Sequence, residues 1–303
     1  MPEGSVNFGF LPKQLDISTE EISIETLAGS EDVIQTIRAS KQVDKDWNYA
    51  PPHDTLKKSN GDFSELPYPT RVFSLPPTHL LRHKKDNDKS HLEFLIWCLG
   101  FFEGLRLTTE KAGYLDATPI KPGKLTDFHL SGETKIGNAL ELAERYWRDH
   151  RPVQNKRMTG IIHCLFLAQN RRHMPFEKFT YLYMALDGCY KATSETGGHS
   201  HGKRIAWTCK QFEMSVPDWA NPHPNQTEIS KVRNDTIHET LFFGEPIGFV
   251  PYGGSSTLAP ESNVPLQMHA LTCRLIVALL GMPNAEYVHT PVDKRQNFDL
   301  CFT

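Results

Sequence analysis

Residues 176–190 read FEKFTYLYMALDGCY. Phe176, Phe179, Tyr183, Leu186 and Tyr190 recur in steps of three and four, which on a helix aligns them as one apolar stripe. Pro175 precedes them at a first-turn position, where a missing N–H costs nothing. A long helix with one face to bury requires neighbours, and the flanking sequence supplies them. Leu92 to Leu107 is apolar nearly all round and predicts a central helix covered on several sides. Ala139, Leu140, Leu142, Ala143, Tyr146 and Trp147 fall at helical spacing, and Met158 to Gln169 continues the pattern. Beyond the stripe, Arg204 to Phe212 predicts a short helix before Pro217. Thr227 is an N-cap for a helix reaching about Phe243, ended by Gly244 and Pro246. Leu266 to Leu280 closes the series, stopped by Gly281 and Pro283. Residues 90–303 therefore predict an up-and-down helical bundle.

Upstream the period changes. Glu21-Ile22-Ser23-Ile24-Glu25 alternates as a half-buried strand does, and Tyr68 to Leu75 lies among prolines that confine it to an edge. The charged run Arg82 to Lys89 reads as a solvated hinge, and residues 108–137, with several Gly and Pro, as an irregular insertion. The expectation is a mainly α protein: a small β-rich N-terminal domain over 1–80, then a helical domain over 90–303, divided near the hinge.

Composition narrows the function classes. A net charge of −3 over 303 residues excludes a generally basic coat, so contact with a polyanion must use a local patch. The six cysteines show no C-x-x-C pair and sit mostly in apolar runs, which fits a reducing cytoplasm. The N-terminus MPEGSVNFGF lacks the basic start and apolar run of a secretory signal. Glu93, Glu103 and Arg106 interrupt the longest apolar stretch, so no membrane partner is expected.

The segment that carries chemistry is Ile229-Ser230-Lys231-Val232-Arg233-Asn234-Asp235-Thr236-Ile237-His238-Glu239. It resembles the R-x4-6-H motif of the HEPN superfamily, in which the Arg is often followed by a polar residue. The penultimate helix of a bundle is also where that family carries it. The stripe over 176–190 looks like the family's second core helix, and the resemblance spans roughly 90–282. It implies a metal-independent endoribonuclease without a cofactor, of the kind that acts in toxin or anti-phage defence systems. It further implies RNA as substrate, a homodimer with facing motifs, and a regulatory or antitoxin partner.

Physically, the set suits attack of a ribose 2′-OH on its own 3′-phosphate. His238, with an ordinary imidazole pKa of about 6.5, can accept the hydroxyl proton. Arg233 can clamp two phosphate oxygens with its planar fork. Asn234 lies one turn before His238 and can orient the ring or bind phosphate. Five residues at ~100° each place Arg233 and His238 about 140° apart on an ideal helix, so they converge only through side-chain length, a distorted turn or a second copy. The plain alternative has Arg233 paired with Glu228 or Asp235 and His238 packed within its helix.

Asp187, at the edge of the apolar stripe, is a further catalytic candidate: it can hold Arg233 or tune His238, or else pair with Lys191. Arg145, Arg148, Arg151, Lys156 and Arg157, with Tyr146 and Trp147 interleaved, form an RNA-binding candidate, although such runs are commonly solvated faces. Arg171, Arg172 and His173 form a second. His199-Ser200-His201 lies in a Gly-rich loop without a spaced partner and reads as a flexible connection, not a metal site. The competing function is a HEPN-like scaffold that binds RNA or protein without cutting.

Overall fold

The computed structural model describes residues 4–109, 113–130, 132–194, 197–222, 227–237, 264–294 and 298–302, without the side chains of 133, 175, 228, 231 and 235–237. The chain forms two compact units, one of Met1–Leu125 with Asn170–Arg172, the other of Thr126–Gln169 with His173–Thr303.

The first unit is built on a five-stranded antiparallel sheet. Its spatial order is Thr108–Thr109, Gly4–Gly9, His79–His83, Ile22–Thr26 and Ile17–Ser18. The alternation at 21–25 is real: Ile22 and Ile24 are buried, Glu25 is exposed, and Ile24 pairs with Leu81. One helix, α1 (Ser30–Arg38), sends Ile34 into a small core with Phe10 and Ile120. A second, α2 (Lys89–Glu103), packs against the strands Gly4–Gly9 and His79–His83. Every residue of α2 from Phe94 to Glu103 is buried, which accounts for its all-round apolarity. Asp88 starts it by accepting from the Ser90 N–H at 2.9 Å, and Gly104, in the left-handed region at φ 60°, ends it. The helix thus stops at Glu103, short of the expected Leu107.

Two expectations are corrected here. The units divide after Leu125, not within 82–89, because His79–His83 is a central strand and α2 is its cover. A central helix and the strand beneath it share one core whatever the charge of the residues joining them. Nor is the protein mainly α: among the described residues helix makes up 45% and strand 17%, spread over several small sheets. Trp47–Tyr49 pairs with Ala117–Pro119 and with Val43–Asp44, and Tyr114–Leu115 pairs with Val72–Phe73. Strands of two or three residues are too short to display a period of two, so the stretch after residue 108 read as irregular.

His79 gives this unit a pH signature. Its ring is fully buried, stacked on Phe8 at 5.5 Å, with Nδ1 2.9 Å from the Thr78 hydroxyl. Burial pushes its pKa down from 6.5 to about 4. The unfolded chain therefore binds the extra proton between these values, so the contribution is complete above pH 6.5 and is lost as pH falls toward 4, by about 3 kcal/mol. Urea midpoints measured from pH 7.5 to 4.5 should fall more steeply for the native protein than for His79→Gln.

The second unit is helical: α3 (Glu133–Asp149), α4 (Pro152–Ala168), α5 (Pro175–Thr193), α6 (His201–Gln211), α7 (Glu228–Ile237) and α8 (Val264–Leu279). At its centre α5 packs against α4, α6 and α8. Phe179, Tyr183, Leu186 and Tyr190 of the predicted stripe are buried, whereas Phe176 is half-buried. A Cβ at Gly188 would lie 2.7 Å from Ile161 Cγ1, so glycine is what lets α5 approach α4 there. The last helix, α8, is buried along most of its length and carries Arg274 at 0% exposure. No helix among the described residues is long and apolar enough to cross a membrane.

Candidate functional site

Three elements bring polar side chains to the C-terminal half of α5. The first is α7, whose N-terminus is set by Thr227. The Ser230 N–H donates to the Thr227 hydroxyl at 3.2 Å and the Thr227 N–H to the Ser230 hydroxyl at 3.1 Å, a reciprocal cap. Ile229 and Val232 are buried and seat the helix. Arg233 is then carried to Tyr183, its guanidinium carbon 6.0 Å from the ring centroid. Arg233 also donates to the Asn234 side-chain oxygen at 2.9 Å, so Asn234 orients the arginine. His238 lies outside the described residues.

The second element is α6, whose first residue is His201. The segment 199–201 is thus not a flexible loop throughout: the helix begins within it, and both histidine rings are engaged. The Tyr183 hydroxyl lies 3.1 Å from His201 Nδ1 and the Tyr190 hydroxyl 3.2 Å from His199 Nδ1. Three positions on from His201, Arg204 donates through Nη1 to Asp187 at 2.5 Å and through Nε to the His199 carbonyl at 3.1 Å. Its guanidinium carbon stands 5.0 Å from the Tyr190 ring centroid.

The third element is α5 itself, with Tyr183 buried and Asp187 half-exposed. Burial, and next the Asp187 carboxylate, push the Tyr183 phenol up to about 12 against the opposing pull of Arg233 and Arg204. Tyr183 therefore keeps its proton at neutral pH, with its hydroxyl against His201 Nδ1. Arg204 Nη1 lies 3.3 Å from the same nitrogen, and a guanidinium can only donate.

The chain matches no family model, no curated protein and no solved structure. Its chemistry is therefore read from the geometry of its own residues.

Of the predicted site residues, Arg233 and Asn234 are in contact with each other, and Arg233 reaches α5. Asp187 joins the same group but pairs with Arg204. Arg204, His201 and Tyr183 escaped the sequence reading. The available signal was the spacing of His201 and Arg204, three apart on a short helix behind a serine, which places both on one face.

The predicted RNA-binding run divides. Arg145, Arg148, Arg151 and Lys156 are exposed, although Arg148 pairs with Glu144 at 3.3 Å. Arg157 turns inward, donating to the Lys191 carbonyl at 2.8 Å near the end of α5. Tyr146 is a core residue stacked on His150 at 4.0 Å and offers no platform for a base. The second basic candidate is shared between the units: Arg171 and Arg172 lie against Trp47 and Tyr49 in the first, whereas His173 belongs to the second.

Proposed function

We propose that the helical unit is a HEPN-like, metal-independent endoribonuclease that cuts single-stranded RNA. The observation that carries this reading is the gathering of Arg233, Asn234, Tyr183, Asp187, His201 and Arg204 around one half of α5. Among the described residues, two guanidinium groups stand beside one carboxylate, a positive cluster suited to a phosphodiester. In the reaction, the 2′-oxygen bonds to phosphorus and the bond from phosphorus to the 5′-oxygen breaks. His238 accepts the 2′-hydroxyl proton and the departing 5′-oxygen takes a proton from solvent water, which the protonated His238 later replaces. Arg233 opposes the charge that develops on the phosphorane oxygens.

The 2′-hydroxyl is the nucleophile, so the substrate test is direct. Single-stranded RNA should be cut and a DNA strand of the same sequence left intact; equal cleavage of both would sink the reading. RNA that is bound but never cut would favour a scaffold.

The 140° separation of Arg233 and His238 on an ideal helix motivates a composite site in a homodimer, with α7 near the two-fold axis. Light scattering at micromolar concentration should then give twice the chain mass, and a fully active monomer would refute the composite site.

A further inference from the structure

We propose that a cleft on the helical unit, walled by residues 214–219, Gln267 and residues 288–293, receives an arginine-bearing segment of a partner protein. The inference does not depend on the ribonuclease reading.

Three pieces of chain form the cleft, and hydrogen bonds hold each in place. The first follows α6: the Met214 N–H donates to the Cys209 carbonyl at 2.9 Å, and Trp219 is buried. The second is the first turn of α8, where the Gln267 side-chain oxygen accepts from the Trp219 indole N–H at 2.8 Å. The third is the stretch after the short turn Glu286–His289. The buried Arg274 fork pins it by donating to the Thr290 carbonyl at 3.0 Å and to the Pro291 carbonyl at 3.2 Å. The cleft is thus built by the fold itself. Its volume, about 580 Å³, lies within the roughly 300–1,000 Å³ of ligand-binding clefts.

The lining sets the chemistry of the occupant. Val216, Pro217, Val288, Pro291 and Val292 supply apolar surface. Asp218 and Asp293 also line the cleft, both exposed, and neither forms an ion pair with a described residue. No lysine or arginine stands among the described lining residues, and the His289 Nε2 is engaged 3.0 Å from the Pro283 carbonyl. Two carboxylates without a counter-charge beside apolar walls call for a cation on an apolar stem. Arginine fits best, because its planar fork matches a carboxylate.

Gln267 adds a contact for the peptide backbone. An indole N–H can only donate, so the Gln267 oxygen faces Trp219 and the amide N–H2 is left for another acceptor. It meets none among the described residues and can donate to a peptide carbonyl. Ser215, Asp218, His289, Pro291 and Asp293 are exposed, so the cleft opens to the surface and admits a passing chain.

The test is calorimetric titration of the full-length protein with a capped pentapeptide, Ala-Val-Arg-Val-Ala, and with its citrulline counterpart, which keeps the shape and loses the charge. The arginine peptide should bind about tenfold more tightly. In the double variant Asp218→Asn with Asp293→Asn, its affinity should fall to that of the citrulline peptide, with a native melting curve. Equal binding of the two peptides, no binding of either, or native affinity in the folded double variant overturns the proposal. So does capped arginine alone binding as tightly as the pentapeptide, because the cleft would then take a small cation. Should the double variant melt early, added salt decides on the native protein: it should weaken the arginine peptide and spare the citrulline one. Affinity for the arginine peptide that is indifferent to salt overturns the proposal.

Discussion

His238→Ala is expected to slow RNA cleavage on the order of 10²- to 10⁴-fold with little change in melting temperature, and Arg233→Ala is expected to abolish it. The two losses have different origins. Without His238 the 2′-hydroxyl proton loses the base assigned to it. Without Arg233 the phosphorane loses its bidentate cation. Arg233 stands against Tyr183 and holds the Asn234 side chain, so Asn234→Ala should be the milder change, loosening the clamp while keeping its charge. Gel assays of cleavage rate beside thermal melts of each variant check this. A native rate in His238→Ala would end the case for that residue as the base.

The second large effect concerns stability. The Arg274 side chain is fully buried on α8 and donates to Asp127 at 2.7 Å, to the Ala270 carbonyl at 2.8 Å and to the Thr290 hydroxyl at 2.9 Å. Tyr287, whose ring centroid lies 4.8 Å from the guanidinium carbon, hydrogen-bonds the other oxygen of Asp127. Asp127→Ala leaves a buried cation without its counter-charge, which costs about 3–5 kcal/mol and should lower Tm by roughly 6–20 °C. Adding Arg274→Met to Asp127→Ala removes the stranded charge and should restore much of the loss. If Asp127→Ala melts like the native protein, the pair does not hold α8 in place.

The helices were legible because each carries its own signal. The stripe on α5, the proline that opens it and the Thr227 cap mark their elements locally, and the structure keeps them. The division between units was not legible, because it depends on what α2 packs against, and an all-round apolar helix gives no direction. The small sheets were missed for a related reason, since strands such as Thr108–Thr109 exist only through pairing with distant partners. Within the site, Arg233 and Asn234 stood out as a contiguous pattern. Tyr183 lies on α5 and His201 and Arg204 on α6, and no spacing in the chain announces that a tyrosine on α5 and a histidine opening α6 will meet. Asp187 was noticed from its wheel position, but its partner is Arg204, seventeen residues on, because α6 folds back along α5.

The central claim is that this unit cuts RNA through the 2′-hydroxyl without a metal, and the ends of the products report on it most directly. A defined single-stranded RNA should be incubated with the purified protein in excess chelator and the fragments weighed by mass spectrometry. The account predicts 5′ fragments ending in a 2′,3′-cyclic phosphate and 3′ fragments beginning with a 5′-hydroxyl. Fragments carrying a 5′-phosphate and a free 3′-hydroxyl, formed only when a divalent metal is restored, would contradict it.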